Sequence, residues 1–498
     1  MNKSISIKEY GDFQTPIALA KEVLSTIDLF NSYSTIIEPT CGLGSFLQAC
    51  IEEEVDLEKL RGWEINSEYV KLANQSLLNN DAKLQPIVEE QDFFKINWQK
   101  FSSQYKSPIL FIGNPPWVTN SDLSKLLSNN IPSKRNFLNY SGIEAITGKS
   151  NFDISEWMMI KLIDFVSGTD SALAFLIKTS VARKLFQYIV KQNKLVNGIS
   201  IIEIDAWKNF NVNVSACLFK VQGISSKLEK YTCPIYKHLH TDIPDRVMGI
   251  VKGKIVSDLN AYKELSEIDR GSEFTWRSGV KHDASKVMEF DVIGNKFRNG
   301  YSEEIELPMD YLYPMYKSSQ ISKENISPPN KYMLITQKKT GDYTKYIEEL
   351  SFVTWEYLIT HSEKLDSRKS SIYKNAPRFA IFGVGDYSFT PWKVVVSGLY
   401  KKVRFSKIGS FKGKPIVLDD TCYMLGFEYE EQADFIVKLL DSDICRKFIS
   451  SLIFLDSKRP VTSALLNRIN TKEIARKLGL LSRYQELFPE EQYQMSFL

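Results

Sequence analysis

Ile36-Ile-Glu-Pro-Thr-Cys-Gly-Leu-Gly-Ser-Phe46 carries the clearest indication of architecture in this chain of 498 residues. A short apolar run ends in an acid, and a Gly-x-Gly turn then opens into a predicted helix over residues 46–51. Glycines in such a turn let a ligand approach the backbone closely, where a side chain would clash. Dinucleotide binding would require a third glycine about three residues later. Leu47 stands at that place, which counts against NAD.

Short apolar runs alternate with amphipathic stretches over residues 31–222. The runs predicted to be strands are Thr35–Ile37, Leu60–Trp63, Gln85–Val88, Ile109–Ile112, Ala172–Ile177, Ile201–Ile204 and Val214–Val221. Apolar residues at three- and four-residue spacing predict helices between most of them, for example over Glu68–Leu78 and Asp153–Val166. This alternation predicts an α/β fold with a doubly wound, mostly parallel sheet, which binds ligands outside the carboxyl ends of its strands.

The composition and the hydrophobic pattern of the sequence change after residue 221. Residues 221–270 are mixed and polar, and short aromatic and β-branched runs with frequent Gly and Pro follow them. The last thirty residues return to helical spacing. We therefore predict an α/β domain over residues 1–222, a connecting segment over 223–270 and a β-rich α+β domain over 271–498.

Composition excludes several classes of protein. With 43% hydrophobic and 25% charged residues, the chain is an ordinary globular protein with room for two or three domains. The N-terminal sequence has no apolar signal region and no stretch approaches 18 apolar residues, so we expect a cytoplasmic protein without a membrane span. Six cysteines without CxxC pairs predict reduced thiols. The pair His238 and His240 has no partner ligands nearby, and we expect no metal site.

Acids follow three successive predicted strands. Glu38 ends the first strand, Glu64 lies in Gly62-Trp-Glu-Ile65 after the second, and Asp92 precedes Phe93 after the third. A single acid of this kind is usually a helix cap or a solvated loop residue. An acid at the end of the second strand is placed to bind the ribose hydroxyls of an adenosine, and an acid followed by an aromatic ring could bind and cover its base. Three together predict a pocket.

The sharpest motif is Ile109-Leu-Phe-Ile-Gly-Asn-Pro-Pro-Trp117. An apolar strand runs into two prolines, which keep Asn114 and Pro115 out of helical conformation so that carbonyls can point outward from the strand tip. Two acceptors, the Asn114 side-chain oxygen and the Pro115 carbonyl, suit an amino group conjugated to an aromatic ring, whose nitrogen must become tetrahedral to attack a methyl sulfonium. Trp117 offers a flat face on which the target ring can stack.

Together these motifs resemble the gamma-class, TaqI-like adenine-N6 DNA methyltransferases of restriction-modification systems. The order of motifs agrees: residues 11–16, 38–46, 62–65, 92–93, 114–117 and 151–153. The resemblance implies a Rossmann-like class I methyltransferase domain that uses S-adenosyl-L-methionine. It implies that the cofactor is bound by Phe13, Thr15, Pro16, Glu38, Pro39, Cys41, Gly42, Gly44, Glu64, Ile65, Asp92, Phe93 and Asn114.

The same resemblance assigns the target-base pocket. It makes Asn114, Pro115, Pro116 and Trp117 catalytic, with Trp117 where Tyr or Phe is commoner. Residues 210–216 are similar to the segment whose aromatic residue stacks on the flipped base, which indicates Phe210. The spacer in that segment is one residue short, so Trp207 is the alternative and a core role for Phe210 stays open.

The resemblance also implies that residues 271–498 form a target-recognition domain for double-stranded DNA. Residues 364–414 carry twelve Lys and Arg against two acids, Asp366 and Asp386. A basic stretch of this kind is either a solvated face or a phosphate-binding surface. The candidates for DNA contact are Arg368, Lys369, Arg378 and Lys393. A cognate restriction endonuclease encoded separately is a possible partner.

Other functions share parts of this pattern. RNA guanine and protein glutamine methyltransferases also use Asn-Pro-Pro plus an aromatic residue, but they usually add a small second domain. Cytosine-N4 enzymes typically have Ser where Asn114 stands. A non-catalytic modification subunit would retain the fold without the chemistry, against which the intact motif residues argue. We expect no fused nuclease, because the first motif begins near residue 11 and no Asp…Glu-x-Lys cluster follows.

Overall fold

The computed structural model describes residues 14–27, 32–79, 84–118, 153–226, 230–294 and 296–489, and the chain forms two compact units divided between Leu259 and Asn260. The first unit contains one mixed sheet. Its strands in the described residues are β1 (Thr35–Pro39), β2 (Leu60–Glu64), β3 (Val88–Glu90), β4 (Ile109–Gly113), β5 (Ala172–Lys178), β6 (Val196–Ile204), β7 (Ala216–Gly223), β8 (Cys233–Tyr236), β9 (Arg246–Val251) and β10 (Lys254–Val256).

The strand order in this sheet is β10-β9-β8-β6-β7-β5-β4-β1-β2-β3. Strands β3, β2, β1, β4 and β5 run parallel to one another, as the alternating sequence predicted. Strand β7 is inserted antiparallel between β5 and β6. The chain order reverses at the pair β1 and β4, so the carboxyl ends of these two strands form the switch point where such sheets bind ligands.

Two strands begin three or more residues away from their predicted starts, whereas the other predicted strand boundaries agree within two residues. Strand β3 begins at Val88 and not at Gln85, because Pro86 has no N–H and the Asn74 side chain accepts hydrogen bonds from the Ile87 and Val88 amides (2.9 and 3.0 Å). Strand β6 begins at Val196, five residues before its predicted start, because a bulge accommodates polar residues between Asn197 and Ser200.

Residues 233–256, within the predicted connecting segment, contribute β8, β9 and β10 to the first sheet. Strand β8 pairs parallel with β6, and β9 and β10 continue the sheet as an antiparallel ribbon. Alternating apolar side chains at Cys233 and Ile235 are buried against the sheet, whereas their neighbours are partly exposed. The mixed polarity of this segment is that of an edge ribbon, which is why it resembled a linker in the sequence.

Helices pack on both faces of the first sheet, and side-chain caps fix several of their starts. Asn66 caps the third helix by accepting from the amides of Glu68 and Tyr69, and Asp153 caps the fifth by accepting from Ser155. The helices in the described part of this unit are α1 (Ile17–Leu24), α2 (Ser45–Glu52), α3 (Ser67–Leu77), α4 (Trp98–Gln104), α5 (Ile154–Val166), α6 (Thr179–Lys191) and α7 (Ala206–Phe210), with 3-10 turns at Leu57–Lys59 and Phe93–Lys95.

The second unit is α+β. Its described strands form a six-stranded sheet in the order β14-β13-β12-β16-β15-β19 and a four-stranded sheet in the order β11-β20-β17-β18. They are β11 (Arg277–Ser278), β12 (Glu289–Ile293), β13 (Lys296–Arg298), β14 (Glu304–Ile305), β15 (Leu312–Tyr316), β16 (Lys331–Leu334), β17 (Trp392–Ser397), β18 (Phe405–Ile408), β19 (Val417–Leu418) and β20 (Cys422–Phe427).

Short helices surround these two sheets, and helices dominate the C-terminal part of the unit. Those in the described residues are α8 (Leu259–Leu265), α9 (Ser285–Met288), α10 (Ser318–Ile321), α11 (Tyr346–Leu350), α12 (Phe352–Thr360), α13 (Ser362–Asp366), α14 (Glu430–Leu440), α15 (Asp443–Leu452), α16 (Ser463–Leu466), α17 (Thr471–Lys477) and α18 (Leu481–Leu487), with 3-10 turns at Ser266–Ile268, Met309–Tyr311, Ser371–Tyr373 and Asp386–Ser388.

Each unit has its own hydrophobic core. In the first, Ile36, Phe46, Leu47, Leu110 and Leu176 are fully or almost fully buried between the sheet and its helices. All six cysteines lie within the described residues, and each is a buried free thiol. Among the helices of the described chain, none combines the length and the apolar character that crossing a membrane requires.

Candidate active site

A glycine turn connects β1 to α2 at the switch point. Thr40, Gly42 and Gly44 have positive φ angles of 60°, 56° and 80°, which lets the chain reverse within four residues. The Cys41 amide donates to the carbonyl of Trp63 (2.9 Å), so the turn is anchored to the end of β2. Leu43 at the top of the turn is 42% exposed. The turn therefore presents backbone and one aliphatic side chain to a ligand.

Three of the predicted cofactor residues, Pro39, Cys41 and Gly42, lie in or beside this turn in different surroundings. Pro39 and Cys41 are buried, and burial raises the pKa of the Cys41 thiol well above its usual range, so the thiol stays neutral and packs in the core. A Cβ on Gly42 would lie 2.7 Å from the Gln14 side-chain nitrogen, which is why only glycine fits there without displacing that side chain.

Glu38 lies under the turn at 3% exposure. Its Oε2 accepts from the backbone amide of Leu47 (3.2 Å), in the first turn of α2. Burial raises the pKa of the Glu38 carboxyl to about 8, and the charge of Glu64 adds to that rise, although the amides of Leu47 and Phe46 favour the ionised form. This carboxyl is therefore poised to give up a proton when a positive charge arrives.

Glu64 ends β2, as predicted, and both of its carboxylate oxygens accept backbone hydrogen bonds. Oε2 accepts from Gly42 and Oε1 from Asn66, each at 2.9 Å. Its backbone carbonyl accepts from Gln91 (2.9 Å), which connects the ends of β2 and β3. Ile65 follows at 43% exposure. The acid thus bridges the glycine turn and α3, beside an exposed aliphatic side chain.

The third strand end carries Asp92, which caps a 3-10 turn by accepting from the Phe94 amide (2.9 Å). The Phe93 ring, predicted to cover a base, is only 4% exposed and packs on Trp98 with centroids 5.5 Å apart. Phe94 is instead 37% exposed and lies 4.7 Å from the Trp157 ring. The exposed aromatic side chain at this strand end is therefore Phe94, one residue beyond the predicted one.

Gly113, Asn114, Pro115 and Pro116 form the tip of β4. Gly113 has φ +147°, and a Cβ there would meet the Glu38 Cγ at 3.4 Å, so the tip lies directly against the acid below the glycine turn. Asn114 is half-buried and Pro115 is buried. The structure thus brings the two motifs that the sequence singled out into contact.

The N-terminal motif reaches the same place. The Thr15 hydroxyl accepts a hydrogen bond from Asn114 Nδ2 (3.3 Å), and the Gln14 side-chain oxygen accepts from the Leu43 amide (3.3 Å). Thr15 is buried, whereas Pro16 is exposed where it precedes α1. Phe13, predicted to bind the cofactor, lies outside the described residues. Residues 14–15 therefore connect the glycine turn to the β4 tip.

Two aromatic rings lie beside the tip. The rings of Trp117 and Phe210 meet edge to face, with centroids 5.2 Å apart at 71°. Trp117 is 6% exposed and its indole N–H donates to the Leu176 carbonyl (3.1 Å), so it is more enclosed than the open platform that the sequence suggested. Trp207, the alternative to Phe210, is 65% exposed on α7. Of the two candidates, the structure brings Phe210 to the tip.

Sequence reasoning missed Lys178 at the end of β5, which contacts Trp117 directly after the tip. Its ammonium donates to the Trp117 carbonyl (2.9 Å) and to Asp153 Oδ2 (2.8 Å). The sequence signal was a lysine directly after the apolar run 172–177, at a strand end where the neighbouring strands carry functional residues. The position belongs to none of the motifs that carry the resemblance, so the motifs alone do not indicate it.

The four basic residues predicted to contact DNA fall into two groups. Lys393 is 1% exposed and its ammonium donates to the Thr390 carbonyl (2.6 Å), so the prediction that it contacts DNA is wrong. The Arg368 guanidinium donates hydrogen bonds to the carbonyls of Leu365, His282 and Ala380, so it connects three segments of the second unit. Arg378 and Lys369 are exposed, and Arg378 pairs with Asp366 (2.8 Å).

His238 and His240 join no metal-binding group. Among the residues described, no cluster of three or more His, Cys, Asp or Glu side chains could hold a metal ion. The candidate site at the β1 and β4 ends is built from backbone amides, the carboxylates of Glu38 and Glu64, the carboxamides of Asn114 and Gln14, the Thr15 hydroxyl and apolar side chains.

The fold and the site together identify the class of protein to which this chain belongs. A sheet in the order β3-β2-β1-β4-β5-β7-β6 with β7 antiparallel, a glycine turn after β1 and Asn-Pro-Pro-Trp after β4 is a Rossmann-like class I methyltransferase sheet, and a β-rich α+β unit follows it. The predicted fold class is confirmed.

Comparison with known proteins gives the family. The chain is 44% identical over 473 residues to the type II methyltransferase M.NspV of Nostoc sp., an alignment that covers 94% of this chain and 97% of that protein. No family model matches. The chain belongs to the type II methyltransferases of restriction-modification systems, as its motifs predicted.

A solved structure supports the fold. The type IIL restriction-modification enzyme MmeI, determined in complex with DNA, matches with a TM-score of 0.52 and 12% identity over 93% of this chain. The chain spans 64% of the length of MmeI. At this identity the likeness concerns the fold of the chain alone.

Proposed function

We propose that this type II methyltransferase transfers a methyl group from S-adenosyl-L-methionine to the exocyclic N6 amino group of an adenine extruded from double-stranded DNA. The observation that carries the proposal is the β4 tip, where Asn114 lies against the glycine turn and hydrogen-bonds Thr15. The Asn114 carboxamide donates through Nδ2 to Thr15, and its Oδ1 is the atom of this side chain whose chemistry suits accepting a hydrogen bond from a substrate amino group.

The strand ends fit a cofactor that combines a positive charge with an adenosine. Leu43, Ile65 and Phe94 are 42%, 43% and 37% exposed at the ends of β1, β2 and β3, where a planar base could cover them. The Glu64 carboxylate would accept hydrogen bonds from the ribose hydroxyls of the cofactor, and the Glu38 carboxyl would face the cofactor's positive charge. S-adenosyl-L-methionine, when bound, supplies an electrophilic methyl group on a sulfonium.

The residues of the β4 tip would act on the amino group. Asn114 Oδ1 and the Pro115 carbonyl would each accept a hydrogen bond from one of the two N–H groups of the target. These bonds favour a tetrahedral nitrogen with an available lone pair, and they position that nitrogen for in-line methyl transfer. The N–CH3 bond would form as the S–CH3 bond breaks and S-adenosyl-L-homocysteine leaves, and the methylated nitrogen, which is strongly acidic, would lose its proton to water. Trp117 and Phe210 would form the aromatic wall against which the base is held.

The second unit would supply the DNA contacts. Extruding a base costs a few kcal/mol of lost stacking and pairing, which contacts elsewhere on the duplex must offset. Residues 260–498 have the size of a target-recognition domain, and exposed basic residues such as Lys369 and Arg378 suit phosphates. A separately encoded restriction endonuclease would recognise the same sequence.

Replacing Asn114 by alanine tests the proposal. We expect the rate of methyl transfer to fall by at least about 10²-fold, because an acceptor that acts on the developing charge is lost. Affinity for S-adenosyl-L-methionine should change little, since the glycine turn and Glu64 are untouched. The measurement is transfer of labelled methyl groups to DNA, followed by digestion and mass spectrometry of the nucleosides.

The control variant is Asn197→Ala, which removes an exposed side chain on β6. N6-methyladenine formed by the wild type and lost only in Asn114→Ala supports the proposal. N4-methylcytosine as the product would assign the enzyme to cytosine, and labelling of RNA or protein but not DNA would assign it to another substrate class. Wild-type activity in Asn114→Ala would refute the role given to this residue.

A further inference from the structure

The backbone of the β4 tip is held from the end of the neighbouring strand. The Lys178 ammonium, at the last residue of β5, donates to the Trp117 carbonyl (2.9 Å) and to Asp153 Oδ2 (2.8 Å). Two residues earlier on the same strand, the Leu176 carbonyl accepts from the Trp117 indole (3.1 Å). Trp117 is therefore fixed to β5 through its main chain and through its side chain.

The acid that Lys178 pairs with is itself fixed. Asp153 caps α5, and its Oδ1 accepts from the amide and the hydroxyl of Ser155 (3.1 and 2.6 Å). Its side chain is 8% exposed and that of Lys178 is 21% exposed, so water screens the pair only weakly. The next residue, Ile154, donates its amide to the Val118 carbonyl (3.0 Å).

These hydrogen bonds connect residues 117–118, where the chain leaves the β4 tip, with residues 153–154, where it begins α5. An ammonium group has three donors and suits two oxygens from separate segments, whereas an apolar side chain of the same length could only pack there. Lys178 makes no bond to the glycine turn or to Glu64 among the hydrogen bonds of the described residues. Its hydrogen bonds are made to Trp117 and Asp153, beside the β4 tip, and not to the glycine turn or Glu64, where the cofactor is proposed to bind.

We propose, on the basis of the proposed function, that Lys178 is a positioning residue for methyl transfer. By tying the Trp117 carbonyl to Asp153, it fixes the backbone that presents the Pro115 carbonyl and the Trp117 ring to the target base. A displacement of about 1 Å at such a site can cost about 10²-fold in rate. A residue that served only to hold the fold would alter stability without altering the rate of the folded enzyme.

The test compares Lys178→Met with Lys194→Met. Lys194 forms a similar ion pair with Asp164 (2.7 Å) and its side chain is equally exposed at 22%, but the pair lies away from the β4 tip. We expect Lys178→Met to lower the single-turnover rate of methyl transfer roughly 10- to 100-fold. Its Kd for S-adenosyl-L-methionine should stay within about twofold, and Lys194→Met should keep the wild-type rate.

Truncating Lys178 alone leaves the buried Asp153 without its partner, which could unfold the protein. The double variant Lys178→Met/Asp153→Asn removes both charges and keeps the measurement possible. We expect it to fold and to remain slow, and Lys178→Arg, which keeps the donors, to recover a large part of the rate. A wild-type rate in the double variant, or equal losses in the Lys178 and Lys194 variants, would overturn the proposal.

Hydrogen exchange separates this proposal from the proposed function. In the absence of substrate, the Ile154 amide should exchange faster in the double variant than in the wild type, because its acceptor at Val118 is less firmly held. Unchanged exchange would overturn the positioning role whatever the substrate. A wild-type enzyme that does not methylate adenine in DNA, combined with faster exchange, would instead overturn the proposed function and leave the positioning of the tip supported.

Discussion

Glu38 is a buried carboxyl whose surroundings raise its pKa and so favour the protonated form near neutral pH. Burial raises its pKa to about 8, and the charge of Glu64 contributes to that rise. If a cationic cofactor binds preferentially when Glu38 is ionised, binding below pH 8 must release the proton. Affinity should therefore increase as pH rises towards 8 and level off above it, by up to about tenfold per pH unit.

Calorimetric titration with S-adenosyl-L-methionine at pH 6.5, 7.5 and 8.5 checks this expectation. In buffers of different ionisation enthalpy, the observed heat at pH 6.5 should reveal the released proton. Glu38→Gln should bind more weakly above pH 8 and lose the pH dependence. Equal pH dependence in both proteins would show that another group is responsible.

Individual residues were predictable where local sequence determined their surroundings. Glu64 and Asn114 lie at strand ends because the apolar runs before them must be strands, and the next residues are turns. Lys393 and Arg368 could not be judged in this way. Lys393 is buried because β17 is paired on both sides by β18 and β20, which are distant in sequence. Nothing in the flanking residues indicates that burial.

The glycine turn between β1 and α2 gives a prediction about a whole element. Alanine at position 42 must adopt φ near +56°, which costs about 1–2 kcal/mol, and its Cβ would press on Gln14. We expect Gly42→Ala to be less stable and to bind S-adenosyl-L-methionine about tenfold more weakly, because the turn that cradles the ligand shifts. Thermal unfolding and calorimetry measure the two effects.

Gly253 provides the matched control for this variant. It has φ +76° in the turn between β9 and β10, and a Cβ there would meet nothing within 4 Å. Gly253→Ala should lose a comparable amount of stability yet keep full cofactor affinity. If both variants lose affinity equally, the effect of Gly42→Ala comes from general destabilisation and not from the turn.

Elements were predicted best where hydrophobic pattern and turn chemistry agreed. The parallel strands β1, β2, β4 and β5 fall within one or two residues of their predicted bounds. The ribbon of β8–β10 was missed because an edge ribbon exposes much of its surface and therefore lacks a strong apolar signal. Its membership in the first sheet depends on pairing with β6, which no local pattern encodes.

For the molecule as a whole, the proposal that the second unit contacts DNA predicts the salt dependence of binding. Lys369→Ala and Arg378→Ala should weaken binding to a random-sequence duplex, and each should reduce the slope of log affinity against log salt by about one. Lys393→Met should leave both unchanged, because this lysine is buried. Fluorescence anisotropy between 50 and 200 mM salt measures the slope. A loss in Lys393→Met equal to that of the exposed positions would show that Lys393 reaches DNA in solution despite its burial.

The hydrogen bond from Ile154 to the carbonyl of Val118 has a consequence for how this enzyme can diversify. Because this bond joins the residues that border positions 119–152, we expect a change in the length of chain between them to leave Val118 and Ile154 held against each other.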